Sequence, residues 1–260
     1  MHLTWLDNNS WLIEIGSQKI LLDPWLVGDL TFNNADWFFK GSRQQDPPIP
    51  ENIDLILLSQ GIEDHTHPPT LKQLDHNIKV VASPTAVKVV EKLGYNQITA
   101  LTQGETFTLN QQVEITAFPG TSMGPTVLEN AYLLKELESG LTIYYEPHGN
   151  HSPQIKQLAP VDIVITPIID FGLPLIGSII KGGNTALEVA KCLQPQIILP
   201  TALARDVLYE GFLTKFLRAT GSVTEFRVLL EKNNVATQVF DPQPGIRFEM
   251  PLEKRELAKL

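Results

Sequence analysis

Apolar and polar positions change period along the chain, and the changes mark its elements. Leu3 to Leu6, Trp11 to Ile15 and Lys19 to Leu22 are short runs of strand character, parted by the turn signals Asp7-Asn8-Asn9 and Gly16-Ser17. That order predicts a β-meander ending at Asp23-Pro24. The segment from Trp25 to Asn52 has no period. It carries Trp25, Phe32, Trp37, Phe38 and Phe39, then the turn cluster Asp46 to Pro50. An irregular stretch this long within a compact domain is expected to be a lid or a binding loop. Its aromatics would close over a substrate, anchor the loop on a sheet, or meet a protein partner through residues 25–39.

Asp54 to Leu58 reads DLILL, the continuous apolar run of a strand buried on both faces. A short helix near Leu71, a strand at Lys79 to Ala82 and a helix from Thr85 to Leu93, stopped by Gly94, give an α/β alternation. Strands are expected again at Thr106 to Leu109, Val113 to Phe118, Ala131 to Lys135 and Leu141 to Tyr145. Further strands fall at Asp162 to Pro167, Gln196 to Leu199, Thr237 to Phe240 and Ile246 to Glu249. Helices are expected at Thr185 to Leu193, with Asn184 as N-cap, and at Ser222 to Asn233. The charged stretch after Met250 reads as a frayed end. Two similar halves, each a meander followed by α/β units, predict two mixed sheets packed face to face with helices outside, over 1–260 as one domain.

The chain has 260 residues and a formal net charge of −9, with 43% hydrophobic and 19% charged residues. The acidic balance and the lack of a basic stripe argue against nucleic acid. Ile163 to Ile180 is the most apolar long stretch. Asp170 and its prolines and glycines interrupt it, so no membrane span is expected. The first ten residues lack the pattern of a signal peptide. With a single cysteine, Cys192, no disulfide framework is implied, and a cytoplasmic setting is the expectation.

Candidate chemistry concentrates in two loops. Of six histidines, His65 and His67 follow the strand Asp54 to Leu58, while His148 and His151 follow Leu141 to Tyr145. Both loops leave the C-terminal ends of strands, where α/β sheets place ligands. Asp64 adds a carboxylate beside His65. Imidazole and carboxylate side chains suit a zinc, iron or manganese site, and the same groups suit acid–base chemistry without metal.

The order meander, Leu22-Asp23-Pro24-Trp25, lid, DLILLS and then a His/Asp loop resembles the metallo-β-lactamase superfamily, in particular its L-ascorbate-6-phosphate lactonase-like branch. The resemblance implies an αββα sandwich with the active site at one edge between the sheets. That family's loop reads Ser-His-x-His-x-Asp-His. Here it reads Ser59-Gln60-Gly61-Ile62-Glu63-Asp64-His65. Gln60 and Ile62 stand where two histidines would hold a first metal. Pro119 to Ser122 and Thr201-Ala202 lack the family's later histidines, and His148 most nearly replaces its bridging aspartate.

The resemblance therefore implies a reduced site, with Asp64, His65 and His148 as catalytic residues holding one divalent metal. Zinc is the first expectation, with iron or manganese as alternatives. Asp23 would orient a ligand from behind. His67, His151 and Glu146 would support the ligands or supply a proton, and Arg205 would hold an acidic substrate group. The implied activity is hydrolysis of a small-molecule ester, lactone or phosphoester. The rival expectation is a catalytically silent member of the fold, serving as a small-molecule-binding or protein-assembly module.

Overall fold

The computed structural model describes residues 1–122, 128–174 and 177–253. Residues 254–260 of the stretch expected to fray lie outside the described residues. Two seven-stranded sheets form the body. The first runs, edge to edge, Arg247–Glu249, His2–Trp5, Trp11–Ile15, Gln18–Leu22, Leu55–Leu58, Lys79–Ala82 and Ile98–Ala100. The second runs Gln238–Val239, Ile197–Pro200, Ile163–Thr166, Thr142–Tyr145, Leu128–Glu136, Val113–Ser122 and Thr106–Leu109. In each, an antiparallel meander continues into parallel strands: Gln18–Leu22 alongside Leu55–Leu58, and Thr142–Tyr145 alongside Ile163–Thr166. These are the two similar halves of the sequence.

The doubly apolar strands sort their side chains by the period of two. Leu55 and Leu57 enter the core between the sheets, while Ile56 and Leu58 face outward. Ile163 and Ile165 likewise point inward and Val164 outward. The outer face of the first sheet is covered by Pro68–Leu71 and Pro84–Leu93, and that of the second by Gly183–Leu193 and Val223–Lys232. Local signals set the helix ends. Ser83 caps Pro84–Leu93 by accepting from the Ala86 amide, and Gly94, at φ 87°, ends it. Ser222 caps Val223–Lys232 in the same way.

Two expectations are corrected, and one apolar stretch gains a structure. The Trp25 to Asn52 segment contains two strands, Leu30–Thr31 and Lys40–Arg43, which join Val207–Glu210 in a small sheet of their own. Within it Trp25, Leu30 and Phe39 form a separate buried cluster, so these aromatics anchor the segment, whereas Trp37 is 71% exposed. The apolar stretch Ile163 to Ile180 holds a hairpin, Asp170–Leu173 with Gly177–Ile180, paired to Arg218–Thr220. Gly183–Leu193 is capped by Gly182 without a side-chain bond, so Asn184 lies inside the helix. Its Gly182 carbonyl closes the first turn instead, accepting from the amides of Thr185 and Ala186.

Candidate metal centre

Parallel strands of both sheets empty at one rim, and the loops leaving them meet there. Asp64 and His65 come from the loop after Leu55–Leu58, and His148 from the loop after Thr142–Tyr145. One ligand-type atom from each of the three lies within 4.8 Å of the others. The rings of His65 and His148 meet edge to face with centroids 5.0 Å apart. Asp64 Oδ2 stands 3.4 Å from His65 Nε2. Its Oδ1 is buried with no hydrogen-bond partner among the described residues.

His65 is fully buried and held from behind. Its Nδ1 lies 2.7 Å from Asp23 Oδ2, which turns Nε2 toward Asp64. Asp23, at the end of Gln18–Leu22, also accepts from the Ser59 amide at Oδ1 (2.7 Å) and from the Ser59 and Tyr145 hydroxyls at Oδ2 (2.5 and 2.7 Å). Burial alone would pull the His65 imidazole down. The Asp64 and Asp23 carboxylates reverse this and raise it to about 10. The same attraction outweighs the burial that would raise Asp64, and holds that carboxyl below its ordinary value.

His148 is buried, and burial followed by repulsion from His65 lowers its imidazole to about 4. Its Nδ1 is 2.7 Å from the Gln60 amide nitrogen. Glu146 holds the loop in shape: Oε2 accepts from the amides of His148 and Asn150, and Oε1 from the Thr121 hydroxyl. Burial pushes its carboxyl up to about 7 against those bonds. Gly149 turns the chain at φ 73°, and a β-carbon there would meet the Lys181 carbonyl oxygen at 1.7 Å.

The remaining expected residues are placed elsewhere. His67 caps Pro68–Leu71; its Nδ1 pairs with the Thr70 hydroxyl and its Nε2 with the Asp29 carbonyl, leaving neither nitrogen free. His151 pairs with the hydroxyls of Tyr144 and Thr166. It lines a cavity of about 1100 Å³ on the outer side of the second sheet, and Asp64, His65 and His148 are not in that lining. The Arg205 guanidinium pairs with Asp241 at 2.6 Å. Thr201, one of the altered positions, accepts from the Trp11 indole and donates to the Asn8 carbonyl.

Sequence reasoning missed Tyr145, Gln60 and Asn9 as neighbours of the centre. The Asn9 amide nitrogen lies 3.5 Å from His65 Nε2. An asparagine in a meander turn carries no signal beyond the turn itself. Tyr145 looked like one more strand residue. Gln60 was visible only as a missing histidine.

Residues 2–202 match the family model described as a beta-lactamase superfamily domain. A metal-dependent hydrolase of Pyrococcus furiosus is 26% identical over 211 residues, covering 76% of this chain and 82% of the relative. Another, from Dinoroseobacter shibae, is 22% identical over 201 residues, covering 74% and 77%. Among solved structures, an isothiocyanate hydrolase from Delia radicum gut bacteria aligns with a TM-score of 0.67 at 16% identity, over 96% of this chain and 99% of that one. A possible metal-dependent hydrolase from Veillonella parvula aligns at 0.72 with 14% identity, over 96% and 99%. These two structures share the fold.

Proposed function

The chain belongs to the beta-lactamase superfamily, and on that premise we propose that it is a metal-dependent hydrolase of a small-molecule ester, lactone or phosphoester, with one divalent ion held by Asp64, His65 and His148. The observation that carries this reading is the convergence of one carboxylate and two imidazoles, with Asp64 Oδ1 buried and unpartnered among them. A buried carboxylate oxygen without a donor is costly, and a cation is the partner its chemistry asks for. Two imidazoles and a carboxylate fit zinc, iron or manganese, and zinc is our assignment. The curated relatives of Pyrococcus furiosus and Dinoroseobacter shibae, named as metal-dependent hydrolases, support the same class.

When bound, such an ion supplies Lewis acidity toward a carbonyl or phosphoryl group and draws the pKa of water toward neutrality. The chain's own residues prepare the place. Asp23 fixes the ring of His65, while Ser59 and Tyr145 fix Asp23. Glu146 fixes the loop that carries His148.

A second reading, the silent binding or assembly module, is favoured by one observation. His65 between Asp23 and Asp64 already offsets part of the charge of the two carboxylates without any ion. Metal analysis of protein purified without chelator separates the two readings. The hydrolase reading expects about one equivalent in the parent and loss in both His65→Ala and His148→Ala. A parent free of zinc, iron and manganese refutes it.

A further inference from the structure

We infer that Gln60 is a positioning residue of the metal centre: its amide oxygen accepts the Nδ1–H of His148 and so reserves Nε2 of that ring for the ion. The inference rests on the metal-site reading above. Gln60 leaves the end of Leu55–Leu58 in the first sheet, is fully buried, and reaches across to a ring carried by the second sheet. It stands at the position where the family's loop has its first histidine. The residue has therefore exchanged a ligand's role for a supporting one.

The argument follows from the hydrogens of a neutral imidazole. Such a ring has one N–H and one lone pair. If the amide NH2 donates to Nδ1, the ring hydrogen sits on Nε2, and no nitrogen of His148 is left to bind a cation. That orientation leaves Gln60 Oε1 buried without a partner, and the half turn puts the NH2 in its place. The two orientations of a glutamine amide have nearly the same outline and differ by a half turn. In the other, Oε1 lies opposite Nδ1 at hydrogen-bond distance, the ring hydrogen moves to Nδ1, and Nε2 presents its lone pair.

His65 has the same arrangement already, with its Nδ1 backed by Asp23 Oδ2 at 2.7 Å. With the Gln60 amide turned so, both rings of the cluster are held at Nδ1 by an oxygen from the first sheet. An oxygen acceptor behind a ligating imidazole is the usual means of fixing its tautomer and direction.

Two measurements test this, and the first needs no metal. Two-bond 1H–15N correlation spectra of metal-free protein labelled at histidine report the tautomer of His148, assigned by its loss in His148→Ala. The expected form is Nδ1–H. The second is zinc affinity by competition with a chromophoric chelator. Gln60→Glu keeps an acceptor and is expected to stay within about threefold of the parent. Gln60→Met keeps the length without the oxygen and is expected to bind about 10–100-fold more weakly. An Nε2–H tautomer in the parent overturns the inference. So does a Gln60→Met affinity within twofold of the parent, or an equal loss in Gln60→Glu and Gln60→Met. A parent that binds no zinc refutes the hydrolase reading instead, and the spectra still decide the role of Gln60.

Discussion

Replacing Asp23 by asparagine changes one atom, yet the structure predicts a large and patterned loss. The carboxylate is fully buried and takes four donors: the Ser59 amide at Oδ1, and the Ser59 hydroxyl, the Tyr145 hydroxyl and His65 Nδ1 at Oδ2. An amide has one oxygen, so it serves one side of this set. With the oxygen toward the three donors, its NH2 abuts the Ser59 amide, and a buried N–H goes unpaired at about 1–3 kcal/mol. Three donors then compete for one neutral acceptor where a charged one stood, which adds about 1–2 kcal/mol. Asparagine tolerates the φ of 41° at this site, so backbone strain adds little. The expected loss is about 3 kcal/mol, or about 6 °C in Tm for a chain of this length.

Tyr145→Phe alone should cost about 1–2 kcal/mol. The double variant should lose about 1 kcal/mol less than the sum of the two single variants, because Phe removes a donor that asparagine cannot satisfy. Urea unfolding of chelator-treated protein, followed by fluorescence of the buried Trp5, Trp11 and Trp25, measures all three. An Asp23→Asn loss below 0.5 kcal/mol, or additivity within about 0.3 kcal/mol, refutes the shared-acceptor reasoning.

Three further outcomes follow from other parts of the molecule. Burial pulls the His151 imidazole down to about 3; as pH falls from about 6.5 toward 3 the unfolded chain takes up this proton and the folded one does not, so stability falls by up to about 1.4 kcal/mol per pH unit, and Gln at 151 should flatten the Tm–pH curve in that window alone. Gly149→Ala places a β-carbon on the Lys181 carbonyl at a positive φ; a loss of about 3 kcal/mol or more by thermal melt, with weaker zinc binding, is expected, since the loop carrying His148 must move. Arg205→Ala breaks only a partly exposed pair with Asp241, so chelator competition should return an unchanged zinc affinity and melts a loss under about 1 kcal/mol.

The sandwich was legible because its parallel strands are apolar on both faces, as in Leu55–Leu58 and Ile163–Thr166, and because Gly94 marks a helix end. The small sheet was not, since Lys40–Arg43 is a polar strand whose partner, Val207–Glu210, lies far along the chain. The pairing is decided by tertiary contact, which no local pattern carries. In the centre, the resemblance pointed to the two loops that bring Asp64, His65 and His148 together, and to Asp23, which stands behind His65. Loop position alone did not distinguish the ring of His148, which faces the cluster, from those of His67 and His151, whose nitrogens are spent on hydroxyls and a carbonyl; only the resemblance set it apart.

The cluster straddles a boundary. Asp64 and His65 ride on one layer of the sandwich and His148 on the other, and the Tyr132 hydroxyl to Leu58 carbonyl bond and the Tyr145 to Asp23 bond lace the same rim. Its spacing is therefore a gauge of how the two layers sit on one another. A cavity opened in the shared interior, at Ile115 or Leu134 for instance, would let the layers slip and would be felt as a misaligned triad.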